Sequence, residues 1–213
     1  MPVTASQIIL NLTLLAIAFS TVVGVVRYPN PMVRAAAVGT GLVSTAYALL
    51  VARLLETQSP SAGMDLSRII LALTAPGLLI GHVFALTVGR ADPLGSITRH
   101  RISLVVQAIL SVGFLALLPT GGFISGFEFH DGDYTIQFGP MGRLYLAFLL
   151  LGIGLMGYRL EMTLRGSEPL QRTRMRWLTL GTFGFVGYFV YLLTDGALSG
   201  GIDQEALGAS LVP

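Results

Sequence analysis

Long apolar runs alternate with short polar punctuation along this chain. The six runs are Ala5–Val26, Ala35–Leu55, Ile69–Val88, Ile102–Leu118, Leu144–Tyr158 and Trp177–Leu193. Each approaches the ~17–25 residues that a helix needs to cross a ~30 Å hydrocarbon layer. The pattern predicts an all-α membrane protein, a six-transmembrane-helix bundle. Its spans are expected at about 5–26, 35–55, 69–88, 102–118, 144–164 and 177–193, the fifth helix running a little past its apolar stretch. The spans and their short loops use nearly every residue, so residues 1–213 read as one membrane domain. The first run has no basic residue before it and no clear small-residue cleavage site, and is expected to be a retained span.

The punctuation fits this layout. Tyr28-Pro29-Asn30-Pro31 forces an extended turn, because a residue before proline avoids the helical region. Gln58–Gly63 is rich in Ser, Pro and Gly and predicts a loop, with Asp65 or Ser67 capping the third span. Asp92-Pro93 breaks the chain after that span, and Pro76-Gly77 inside it predicts a kink. One loop departs from the helical period. Phe127–Ile136 alternates apolar and polar residues around Asp131-Gly132, the signal for a short β-hairpin at about 126–138. Such a hairpin is either an external docking element, with His130, Asp131 and Tyr134 as interaction candidates, or a compact lid over the bundle. The last segment, 195–213, is expected to be an external tail, partly helical around Asp203–Leu207.

Composition sharpens the membrane reading. Hydrophobic residues make up 53% of the chain and charged residues 11%, with a mean hydropathy of +0.74. A soluble domain carries about twice that charge fraction. All thirteen basic residues are arginine. Ten of them fall in the connectors Arg27–Arg34, Arg90–Arg101 and Arg159–Arg176, all on one side of the six-span layout. The positive-inside rule makes that side cytoplasmic, with the N-terminus and the hairpin outside. The formal charge of +2 is thus a product of membrane-end arginines and implies no nucleic-acid partner.

Two absences remove whole chemistries. Without cysteine there is no thiolate nucleophile, iron–sulfur cluster or covalent haem attachment. Without lysine there is no retinal Schiff base. No Asp, Glu or Arg falls at the middle of a predicted span, which argues against charge-coupled transport. The chain has no nucleophile–base pair, phosphate loop or H-E-x-x-H motif, so no enzymatic activity and no catalytic residue is expected.

His82 is the one histidine inside a predicted span and the only intramembrane candidate for a haem or chlorin ligand. Gly77, Gly81 and Ala85 beside it leave room for a macrocycle or, equally, for a neighbouring helix. The expectation is no cofactor, and a hydrogen bond from His82 to protein, lipid headgroup or water. Three scattered histidines lack metal-site spacing. Asn11, Thr13, Thr21, Thr40 and Ser44 are polar positions on the first two spans and suggest hydrogen bonds between helices. Gly39-Thr40-Gly41 and Gly152-Ile153-Gly154 permit close helix approach.

The connector between the fifth and sixth spans is the most distinctive segment. Glu161 and Arg165 are i,i+4 partners, and Arg172, Arg174 and Arg176 precede the last span, positioned for lipid phosphates or a partner's carboxylates. The segment Leu160-Glu161-Met-Thr-Leu-Arg165 followed by Arg172-Thr-Arg174-Met-Arg176-Trp-Leu-Thr-Leu-Gly181, with Ile136–Gly142 before it, resembles the multi-span N-terminal sensor region of bacterial histidine kinases of the PEP-CTERM/exosortase-associated type. The resemblance covers about residues 100–195 and assigns no catalytic role to this connector. It implies a sensor fold in a bacterial cytoplasmic membrane. The chain shows no seventh span, phosphoacceptor region or ATP-binding module. Two functions follow as expectations: a non-enzymatic sensor or signal-input domain with a signalling partner, or a non-catalytic accessory subunit of a larger respiratory or photosynthetic membrane assembly. Bound membrane lipids are expected in either case.

Overall fold

The computed structural model describes residues 5–27, 30–56, 59–88, 90, 92–120, 122–130, 133–166 and 190–203. The helices are α1 (Ala5–Arg27), α2 (Pro31–Leu55), α3 (Pro60–Thr87), α4 (Pro93–Arg99), α5 (Arg101–Leu117) and α6 (Pro140–Gly166). Residues 190–199 are also helical. Strands β1 (Ile124–His130), β2 (Asp133–Phe138) and β3 (Gly201–Asp203) form one small sheet.

Three of these helices, α2, α3 and α6, are long and apolar enough to cross a bilayer, and this is a membrane-embedded, mostly helical protein. The α4–α5 pair adds a fourth crossing if it is counted as one span, bent by 68° at its break. The described apolar part of α1 is shorter, Asn11–Val22. The sixth expected span lies outside the described residues up to residue 189. Large apolar side chains face outward on every long helix, among them Phe19, Leu42, Ile109 and Leu151. That exposure is what a lipid solvent allows.

Local chemistry explains where the helices start. Pro31, Pro60 and Pro93 each stand in the first turn, where a missing N–H costs nothing and φ is already helical. Asn30 and Asp92 cap α2 and α4, accepting from the amides of Met32 and Gly95, each at 2.9 Å. This corrects two expectations. Residues from Pro60 onward are helix, not loop, and neither Asp65 nor Ser67 is a cap. Asp65 pairs with Arg68 on the surface, and the Ser67 hydroxyl donates back to the Gly63 carbonyl. The connector after α3 also holds a helix, α4, which the loop reading missed.

Pro76 lies inside α3 without ending it. Tyr145 of α6 packs over this turn. Its hydroxyl, the Thr74 hydroxyl and the Leu71 carbonyl form a triangle 2.7 Å on each side.

The expected hairpin is present and extends slightly further. The pairing of His130 with Asp133 leaves a two-residue connection, whose Asp131 and Gly132 lie outside the described residues. A bulge between Ile124 and Gly126 shifts the alternation by one. Ile124 and Phe127 therefore both face inward and join Ile136 and Phe138 in the main core with Leu54, Leu71 and Leu146. The third strand was not foreseen. Ile202 pairs with Ile136, and the Phe138 amide donates to the Gly200 carbonyl at 2.7 Å. Asp203 is thus strand rather than helix; residues 204–207 lie outside the described residues. The sheet base is tied to α6 through Gly139 N–H to Phe123 O (3.0 Å) and Met141 N–H to Gly122 O (3.1 Å). The hairpin covers one end of the bundle.

Candidate functional site

The opposite end of the bundle holds a buried polar junction. α3 begins beneath the sheet, where Gly63 meets the Phe127 ring, and ends near His82 and Thr87. α6 likewise begins at the sheet base. Arg159 lies roughly 28 Å along it from Pro140, at 1.5 Å per residue, a length comparable to the ~30 Å of a hydrocarbon layer.

Arg159 Nη1 donates to His82 Nδ1 at 2.8 Å, and Arg159 Nη2 donates to Ser103 Oγ at 2.7 Å. Three helices, α3, α5 and α6, meet on this one guanidinium. His82 is fully buried and Arg159 is 5% exposed. A guanidinium has no lone pair to offer, so Nδ1 is the acceptor and the neutral imidazole carries its proton on Nε2. On that side the polar neighbour is the Gly152 backbone of α6, and the contact falls short of good hydrogen-bond geometry.

One turn further along α6, Thr163 makes a second tie. Its hydroxyl accepts from Arg90 Nη2 at 3.0 Å and has the carbonyls of Ala85 (3.2 Å) and Arg159 (3.0 Å) within donating range. Ala85, Val88 and Leu160 form a small apolar core beside it.

One glycine of the sequence motif, Gly152, lets α3 and α6 approach closely beside the junction. A Cβ at Gly152 would collide with the Leu78 side chain, so α3 and α6 approach closely there. Among the described residues nothing stands within 4 Å of a Cβ at the neighbouring Gly154. The small residues near His82 are packed by helices: Gly81 by Met156, Gly77 by Val43, and Ala85 by Leu160.

The other sequence candidates are dispersed. Arg165 Nε donates to Glu161 Oε1 at 3.0 Å, the expected i,i+4 pair, and both side chains are substantially exposed. Arg172, Arg174 and Arg176 lie outside the described residues, as do the side chains of His130 and Tyr134. His100 Nδ1 binds the Ser96 carbonyl of its own turn at 2.9 Å. Thr21 and Thr40 donate to carbonyls of their own helices, at 2.8 Å each, rather than across helices. Among the described residues no three His, Asp or Glu side chains gather as metal ligands would.

Sequence reasoning missed the role of Arg159: the expected span at about 144–164 contains it, but it was counted with the membrane-end arginines of Arg159–Arg176. α6 runs to Gly166 and buries Arg159 inside the bundle. The available signal was its position just past Tyr158 on a helix whose apolar character resumes at Leu160. The chain matches no protein-family model, no curated protein and no solved structure.

Proposed function

We propose that the chain is a non-enzymatic signal-input domain of a bacterial cytoplasmic membrane, with six spans and with its N-terminus and hairpin outside. The observation that carries this reading is the Arg159–His82–Ser103 junction. Ionisable groups buried at membrane depth are costly, and their retention points to function. The junction also has the form of a switch. α3 runs as one helix from the hairpin, at Phe127–Gly63, to His82. A cue that displaces the sheet moves α3 against α6 and breaks or remakes the contact with Arg159. Hydrogen bonds to a charged group are worth about 1.5–3 kcal/mol, within the ~1–3 kcal/mol of typical coupling between sites. The exposed Glu161–Arg165 end of α6 then presents the displacement to a signalling partner.

The test is native purification in mild detergent with mass spectrometry of co-purifying proteins, repeated for Arg159→Gln. The expected result is a signalling protein whose output changes in the variant while the association persists. Stoichiometric recovery with respiratory or photosynthetic subunits, with output indifferent to Arg159→Gln, overturns the reading in favour of an accessory subunit.

A further inference from the structure

Buried polar atoms without a partner lie on or beside the elements that meet at this junction. They are His82 Nε2, Arg90 Nε, Ser96 Oγ, both amide atoms of Gln107 and Ser111 Oγ; the remaining one among the described residues is Arg68 Nε, elsewhere on α3. Gln107 and Ser111 are 7% and 5% exposed. With Ser103 they occupy successive turns of one inward face of α5, each about 6 Å deeper than the last. The outward face of the same helix is apolar, with Ile102, Val106 and Ile109 exposed. Burying a polar group without a hydrogen bond is unfavourable, so this polar face is shaped for something that bonds to it.

The chemistry of that ligand follows from the donors. Arg90 and Arg159 bring two positive charges, and among the described residues neither has a carboxylate partner; the acids Glu56, Asp65 and Glu161 pair with Arg53, Arg68 and Arg165. Arg90 Nε–H, the Gln107 amide and the serine hydroxyls can all donate. An anion with further acceptors beneath it satisfies the donors of this set. We infer that the junction binds the headgroup of an anionic phospholipid from the leaflet away from the hairpin. The phosphate sits at Arg90 and Arg159, where guanidinium geometry suits it. The glycerol ester carbonyls, which accept only, lie deeper at Gln107, one turn below Ser103. Arg90 and Ser103 are half-buried and mark the rim. This site stands on its own observations and does not depend on the signal-input reading.

The experiment is native mass spectrometry of the full chain in uncharged detergent, titrated with phosphatidylglycerol, phosphatidylcholine of the same acyl chains, or inorganic phosphate. Phosphatidylglycerol is expected to bind about tenfold more tightly than phosphatidylcholine, a preference lost in Arg90→Gln. Gln107→Leu lowers its affinity roughly five-fold, the effect of one neutral hydrogen bond. Arg53→Gln, on the exposed hairpin-side end of α2, leaves both unchanged. Circular dichroism checks that the variants fold, and Arg159→Gln is added where it does. Equal binding of the two lipids, or Arg90→Gln and Gln107→Leu both binding as the unaltered chain does, overturns the site. Displacement of phosphatidylglycerol by inorganic phosphate at comparable concentration overturns the lipid as its source.

Discussion

Arg159 of α6 donates to the Nδ1 atom of His82 on α3 across 2.8 Å, joining residues 77 positions apart. The pair holds an arginine inside a membrane bundle with a neutral acceptor in place of a carboxylate, so each partner depends on the other for satisfaction. His82→Ala leaves Arg159 with Ser103 alone and is expected to destabilise the protein by about 1–3 kcal/mol. In a double-mutant cycle with Arg159→Gln, the two losses are expected to be non-additive by about 1 kcal/mol. Thermal unfolding in detergent, followed by circular dichroism, measures all four corners. Strict additivity would show that the contact carries no energy.

The Gly152-Ile153-Gly154 motif makes a sharper contrast. Gly152 faces the Leu78 side chain of α3, whereas among the described residues nothing stands within 4 Å of a Cβ at Gly154. Gly152→Ala is expected to cost about 1–3 kcal/mol through overpacking. Gly154→Ala is expected to be neutral or slightly stabilising, since alanine favours helix by up to ~1 kcal/mol. The same unfolding assay separates them. Equal effects would mean that the α3–α6 approach is not set at Gly152.

Tyr145 offers a third test. Tyr145→Phe removes one corner of the triangle with Thr74 and Leu71 and is expected to cost about 0.5–1.5 kcal/mol. Thr74→Val leaves the tyrosine hydroxyl to satisfy the Leu71 carbonyl. The double variant should lose more than the sum of the two, because each single variant keeps one donor for that carbonyl. A smaller loss in the double variant would remove the case for mutual back-up.

The sidedness of the proposed topology can be read chemically, because the chain has no native cysteine. Glu128→Cys on the hairpin should react with an impermeant maleimide in intact cells. Arg165→Cys at the far end of α6 should react only after permeabilisation. Labelling of both in intact cells would refute opposite placement of the two ends.

The sequence by itself determined the elements whose causes are local. Apolar runs long enough for lipid marked the long helices, and alternation around Asp131-Gly132 marked the hairpin. The Glu161–Arg165 pair followed from helical spacing alone. What the tertiary structure decided depends on which surfaces meet. Ile202 is one apolar residue in a Gly-rich tail until β2 offers it an edge beside Ile136. The bulge that turns both Ile124 and Phe127 inward follows from pairing, and residue type does not encode it. Arg159 looked like one more membrane-end arginine, because charge patterning counts residues along the chain and cannot see a facing helix. Its role was set by the close α3–α6 approach at Gly152, which brings His82 opposite it, and by α5, which places Ser103 within reach.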